Sequence, residues 1–216
     1  MSKIVIFGAG GRAGRRAVAE AAARGHQVTA VVRDPARHPD LAGAGVDVVA
    51  GDVTDAGGVA AAAAGHDAAI NAAARLDVPS REFYTAATRA LLEGLERAGV
   101  GRLLAIGIGT TLETAPGVRV LDAPGFPAEA RAFSLGHAAE LEVLNAAGPG
   151  VDWVVVAPPP TVLDDQAPRT GRYRTGGRQV LPAGEGAVFS YADLAVALID
   201  EIETPAHHRA LVAVAY

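Results

Sequence analysis

The sequence predicts an α/β fold, a parallel sheet doubly wound with helices on both faces, carrying a small C-terminal lobe. Three observations lead there. Short apolar runs, of the kind that form strands buried on both faces, alternate with alanine-rich helical stretches. The first run, Ile4 to Phe7, passes directly into a turn crowded by Gly8, Gly10, Gly11 and Gly14. Of the 216 residues, 50% are hydrophobic, enough to bury a substantial core in one domain spanning 1–216.

The bulk composition excludes several classes. A net charge of −5 without a basic stripe argues against a nucleic-acid partner. No apolar run approaches the roughly 18 residues of a membrane span, and the N-terminus enters the first strand without room for a signal peptide. The absence of cysteine excludes disulfides and cysteine–zinc sites and fits a cytoplasmic protein. Lys3 is the sole lysine, expected to be buried where the first strand begins; the other basic residues are arginines.

Along the chain, the first strand and its glycine turn lead into a helix from Arg15 to Arg24. Strand, glycine turn and helix together present free backbone N–H groups to a pyrophosphate, the Rossmann-type dinucleotide arrangement. Two glycine spacings are superimposed: Gly8, Gly10 and Ala13 fit G-x-G-x-x-A, and Gly8, Gly11 and Gly14 fit G-x-x-G-x-x-G. Gln27 to Val32 is the second strand, a parallel neighbour of the first. It ends in Arg33-Asp34-Pro35, about 20 residues past the glycine turn, where an acidic residue would bind the NAD ribose. Arg33 offers instead a cation for the 2′-phosphate of NADP; the bland alternative is a solvated arginine, with Asp34 as its partner or as a helix cap. NADP(H) is thus preferred, with NAD(H) possible.

Val46 to Ala50 is the third strand. Asp52 and Val53 follow it in position to meet the adenine, while Thr54 or Asp55 caps a helix reaching Ala64. The fourth strand, Asp67 to Ala74, brings Ala73 and Arg75 to the cofactor's side of the sheet, because ligands lie outside the carboxyl ends of parallel strands. A helix from Ser80 to Ala98, stopped by Gly99, leads to a fifth strand over Gly101 to Ile108, with Gly107 at its cofactor end. Thr110 and Thr111 follow, to touch nicotinamide or substrate or merely to cap a turn. Glu113 to Pro127 is rich in proline and glycine. It forms a substrate lobe with a polar stretch at about 161–186, in which Gly171 to Arg174 and Gln179 to Leu181 are short strands. Between them lie a helix over Ala128 to Ala147, carrying Phe133, Ser134 and His137, and a strand over Val151 to Ala157 ending in Pro158-Pro159-Pro160. Ser190-Tyr-Ala-Asp193 begins a final helix in the manner of a capping box, and Leu211 to Val214 is the last strand.

The glycine turn, Val-Val-Arg-Asp-Pro (31–35), Gly-Asp-Val-Thr-Asp (51–55), Ala-Pro-Pro-Pro (157–160), Arg-Thr-Gly-Arg-Tyr-Arg (169–174) and Phe-Ser-Tyr-Ala-Asp-Leu-Ala (189–195) occur in a familiar order. Over nearly its whole length the chain resembles the atypical short-chain dehydrogenases/reductases with an NAD(P)H-binding domain, in particular bacterial NADH-flavin reductase-like proteins and the biliverdin-IXβ reductase/flavin reductase family. The resemblance implies that Gly8, Gly11, Arg12, Ala13 and Gly14 form the pyrophosphate loop, favouring the G-x-x-G-x-x-G register. It also implies that Arg33 lies by the 2′-phosphate, Asp52 and Val53 by the adenine, Arg75 near the cofactor, and His137 at the substrate mouth. A serine of those relatives after the fifth strand is missing; Ile108, Gly109 or Thr111 stands in its place.

Chemistry narrows the activity. The wider superfamily reduces carbonyls with a Tyr-x-x-x-Lys pair, but none of Tyr84, Tyr173, Tyr191 and Tyr216 has a lysine four residues on. A positioned general acid contributes about 10²–10⁴-fold, so carbonyl chemistry by that route is disfavoured. Hydride transfer from NADPH to a flavin- or quinone-like acceptor needs less, since the acceptor delocalises the developing charge. The expectation is therefore an NADPH-dependent reductase of a small-molecule acceptor, with His137 orienting or protonating it and Thr111 a second candidate catalytic residue. His137 as a helix-surface histidine, a non-catalytic NADP(H) sensor, and an epimerase/dehydratase-like enzyme are the alternatives. The histidines lack metal-ligand spacing, so no metal is expected. The oligomeric state, monomer or dimer, is open.

Overall fold

The structure, a computed structural model, describes residues 1–182 and 188–216. The expected alternation appears as β1 (Lys3–Phe7), α1 (Arg12–Ala23), β2 (Gln27–Val32), β3 (Val46–Ala50), α2 (Ala56–Ala63), β4 (Ala68–Asn71), α3 (Ser80–Ala98) and β5 (Arg102–Ile106). A hairpin of β6 (Glu113–Ala115) and β7 (Val118–Arg119) follows, then α4 (Ala128–Ala146), β8 (Asp152–Ala157), β9 (Arg174–Thr175), α5 (Tyr191–Glu203) and β10 (Ala210–Ala215).

Among the described residues the main sheet has the strand order β3-β2-β1-β4-β5-β8-β10-β9, parallel throughout except for β9, which runs antiparallel on the edge. From β1 the chain winds outward to β3, then returns to place β4 on the other side of β1. The strand order reverses between β1 and β4, and a crevice opens there outside the carboxyl ends of the strands. The alternation of each strand divides the core. Val5 and Phe7 of β1 join Leu91, Leu95, Trp153 and Val155 on the face covered by α2, α3 and α4. Ile4 and Ile6 point the other way, to Ile70, Leu104, Val154 and Leu198 beneath α1 and α5. Burial on both faces is why these strands read as unbroken apolar runs.

Some expectations are corrected. Lys3 is exposed, not buried, and it sits at the amino end of β1, across the sheet from the crevice. α1 starts at Arg12, three residues before the expected Arg15; glycines in a first helical turn imitate a loop in sequence, although that turn has no backbone bonds of its own to lose. In the lobe, the Glu113 N–H donates to the Arg178 carbonyl at 2.8 Å and the Val180 N–H donates to the Glu113 carbonyl at 2.9 Å, so the two lobe segments touch. The expected strand at 171–174 is shifted to Arg174–Thr175. Gln179 makes only an isolated bridge to Glu113. Residues 183–186, the end of the expected lobe, lie outside the described residues.

Candidate functional site

A cavity of about 960 Å³ occupies the crevice. One half of its wall comes from the carboxyl ends of β1 to β4, the other from the turns after β5 and β8 and from the facing sides of α3 and α4. Gly8, Gly10, Gly11, Arg12, Ala13, Arg33, Asp52, Val53, Ala73, Arg75, Gly107 and His137 all line it.

The glycine turn is built for close approach of a ligand. Gly8 adopts φ +73°, and a Cβ there would lie 2.4 Å from the Ala73 nitrogen. A Cβ on Gly14 would lie 2.2 Å from the Gly8 carbonyl oxygen. Gly14 therefore packs α1 onto the turn and does not line the cavity, unlike the rest of the loop. A Cβ on Gly11 would meet only the Gly8 oxygen, at 3.5 Å, and would otherwise enter open space. No side chain caps α1 and its first turn holds no acidic residue, so the N–H groups of that turn and the positive end of the helix dipole are left for an anion. These features fit a pyrophosphate.

At the end of β2, Asp34 accepts the Ala36 N–H at 3.1 Å and caps a short helical turn; it does not pair with Arg33. Arg33 and Arg37 are both exposed, both line the cavity and have no carboxylate partner among the described residues. His38, which also lines the cavity, packs its ring against Gly10 with its Nδ1 2.9 Å from Arg15, and Arg15 is paired with Asp40. Two unpaired guanidiniums at this point suit a phosphate monoester.

Beyond β3, Asp52 Oδ1 accepts from the Thr54 N–H at 2.9 Å and the Thr54 hydroxyl at 2.7 Å, and these bonds hold its carboxyl below the usual range. Asp55, rather than Thr54, caps α2, accepting the Gly57 N–H at 3.0 Å. Arg75 forks onto Asp77 at 2.9 and 2.5 Å, and this bond depresses the Asp77 carboxyl to about 2.

The far half of the cavity is apolar and aromatic. α3 and α4 cross so closely that a Cβ on Gly136 would collide with Ser80, whose hydroxyl donates to the Phe133 carbonyl at 3.0 Å. The crossing stacks His137 against Tyr84, with ring centroids 4.0 Å apart, and sets Phe133 edge-on to both. His137 is 4% exposed and Glu140 1%. His137 is thus not a helix-surface histidine: its Nδ1 lies 3.2 Å from Glu140, which orients the ring and leaves Nε2 without a partner among the described residues. Pro158 to Leu163 close the opposite side.

Thr111 requires correction. The three-residue helical turn after β5 buries it and bonds its hydroxyl to the Ile108 carbonyl at 2.8 Å, so Thr111 does not line the cavity. Thr110 does, with its hydroxyl 2.8 Å from that of Ser134. Among the described residues of the lobe, only 161–163 reach the cavity; none of 113–127 does. Tyr84, Glu140, Arg37 and His38 escaped the sequence reading. Tyr84 looks like one more core aromatic, and only the spacing of Glu140, one helical turn after His137, hinted at its contact.

Comparisons with known proteins agree with this geometry. YwnB of Bacillus subtilis is 33% identical over 209 residues, covering 95% of this chain and 94% of that one. A crystal structure from Burkholderia pseudomallei, described as a "putative exported protein", superposes with a TM-score of 0.87 at 36% identity, covering 100% of both chains. One from Streptococcus pneumoniae, described as a "putative NADH-flavin reductase", gives 0.85 at 25% identity over 100% of this chain and 99% of that one. A family model described as NAD(P)H-binding matches residues 8–205, and the chain belongs to that NAD(P)H-binding family.

Proposed function

We propose that the protein is an NADPH-dependent oxidoreductase that passes hydride to a flat flavin- or quinone-like acceptor. The observation that carries this reading is the continuity of one cavity from the glycine turn and unpaired arginines at one end to the aromatic wall and His137 at the other. Bound in the glycine cradle, the dinucleotide supplies the hydride. The N–H groups of the first turn of α1 hold its pyrophosphate, Arg33 with Arg37 its 2′-phosphate, and Asp52 and Val53 its adenine. Phe133 and the residues after β8 exclude water from the reacting end, while Leu76 and Val162, each 87% exposed, give the mouth two apolar lips. His137 orients and protonates the acceptor. The acceptor is the second substrate, and the reaction fits a cytoplasmic pool of NADPH.

The direct test is NADPH oxidation by purified protein on addition of FMN, riboflavin or a soluble quinone. Turnover with any of them supports the reading; intact NADPH binding with no turnover across the panel replaces it with a non-catalytic NADP(H) sensor. Two variants probe the ends of the cavity. Arg33→Ala is expected to weaken NADPH binding about 10- to 100-fold, the worth of one charge-assisted hydrogen bond, and to leave NADH binding nearly unchanged; titration calorimetry with both dinucleotides measures the difference, and an equal loss for both removes the 2′-phosphate assignment. His137→Ala is expected to lower kcat about 100-fold with NADPH affinity retained. Unchanged turnover would end its proposed role.

A further inference from the structure

Tyr84 is the only one of the four tyrosines that is buried. Tyr173 and Tyr216 donate their hydroxyls to Asp200 and Asp193. Tyr84, 2% exposed and lining the cavity, has no hydrogen-bond partner for its hydroxyl among the described residues. Its oxygen opens to the cavity instead of being sealed in the core, whereas buried tyrosines ordinarily find a partner within the protein. This one stands beside the buried pair of His137, which lines the cavity, and Glu140 behind it. Folding therefore brings together an unused O–H from α3 and an unused ring nitrogen from α4, both at the apolar end of the cavity.

We propose that Tyr84 is a catalytic residue, and that with His137 it receives the oxygen of an acceptor whose hydride-accepting atom is conjugated to a carbonyl. The proposal rests on the reductase reading and makes it more specific: it selects acceptors that become oxyanions on reduction. Hydride brings two electrons to the conjugated ring; the carbonyl π bond breaks and its electron pair moves to oxygen. Tyr84 donates a hydrogen bond to that oxygen as the charge develops, a contribution that is strong because the lining is apolar and the donor is already in place. The proton comes from Nε2–H of the protonated His137 ring, whose Nδ1–H stays on Glu140, and water entering at the mouth restores it. Burial, and after it the negative charge of Glu140, push the Tyr84 phenol well above its ordinary pKa. Tyr84 is thereby kept as a donor, whereas a Tyr–Lys pair would instead make the phenol more acidic. Glu140 is a positioning residue, acting through the His137 ring.

Tyr84→Phe tests this, since it removes one oxygen and keeps the ring contacts. The probe is the hydroxynaphthoquinone lawsone, which is ionised at neutral pH and carries the charge distribution of a reduced acceptor. Calorimetry is expected to show lawsone binding weakened 10- to 100-fold in the variant, with NADPH affinity unchanged within twofold and with an unchanged or slightly higher Tm, because the hydroxyl has no internal partner to lose. Quinone turnover is expected to fall about 100-fold. Equal lawsone affinity in the two proteins, no lawsone binding by the wild type, or a marked loss of thermal stability in the variant would each overturn the assignment. Should the wild type bind lawsone through Tyr84 yet reduce no acceptor, the oxyanion site stands and the reductase reading falls.

Discussion

Gly14→Ala is expected to destabilise the protein by about 3 kcal/mol or more, at the upper end of what overpacking costs, and to abolish tight dinucleotide binding with it. The added Cβ would sit 2.2 Å from the Gly8 carbonyl oxygen and 2.8 Å from the Ala9 Cα. Both are backbone atoms held in place: the Ala9 N–H donates to the Val31 carbonyl at 3.2 Å, and the Gly11 N–H donates to the Gly8 carbonyl at 3.1 Å. No side chain is available to swing aside, so α1 must lift off the turn and take its first-turn N–H groups out of position. Urea unfolding measures the loss as a lowered midpoint. Gly11→Ala is the contrast. Its Cβ meets one atom at ordinary contact distance, so stability is expected to hold within about 1 kcal/mol while NADPH binding weakens, because the methyl points into the space a pyrophosphate needs. A Gly11→Ala protein that is as unstable as Gly14→Ala would show that both glycines serve packing alone.

That contrast also shows why a glycine pattern is partly legible in sequence. Glycines at 8, 11 and 14 announce a turn that side chains cannot enter, but a spacing does not say which glycine faces a ligand and which faces a helix. Elements defined by local chemistry were readable: β2, β3 and α3 fall on the residues expected, the last stopped by Gly99 in the left-handed conformation. Short and shared elements were not. β9 exists because β10 offers an unpaired edge, and which of two adjacent threonines faces the cavity depends on a single helical turn after β5. The reacting end was least legible. Tyr84 and His137 lie 53 positions apart, and what joins them is the close crossing of α3 and α4 at Ser80 and Gly136.

Asp193→Ala is expected to cost about 4 kcal/mol at neutral pH, since hydrogen bonds to a charged group contribute about 1.5–3 kcal/mol each and are not additive. Asp193 is 0% exposed and gathers the lobe onto α5. It accepts the Thr170 and Gly171 N–H groups at 2.9 and 2.7 Å, the Thr170 and Ser190 hydroxyls at 3.1 and 3.0 Å, and the Tyr216 hydroxyl. The capping-box motif at 190–193 announced only part of this: Ser190 does cap α5, accepting the Asp193 N–H at 2.9 Å. On the other side, Arg169 forks onto Glu20 of α1 at 2.7 and 2.8 Å. The stretch so fastened carries Thr161, Val162 and Leu163 into the cavity wall, so its release should loosen acceptor binding as well. Both carboxylates also set a pH dependence. For Asp193, burial opposes the charge, but the donors from Tyr216, Gly171, Ser190 and Thr170 outweigh it and lower the pKa. For Glu20, the Arg169 hydrogen bond dominates and lowers it against burial. Each group therefore binds its proton more readily in the unfolded chain, so the stability it supplies is present above the ordinary carboxylate range, about pH 4, and is lost as pH falls through that range toward the folded-state pKa. Wild-type unfolding free energy should decline below about pH 5, and the gap between wild type and Asp193→Ala should narrow as it does. Urea titrations between pH 7 and pH 3 measure both; a gap that stays constant across that interval would mean that the carboxylate's charge does not hold the lobe.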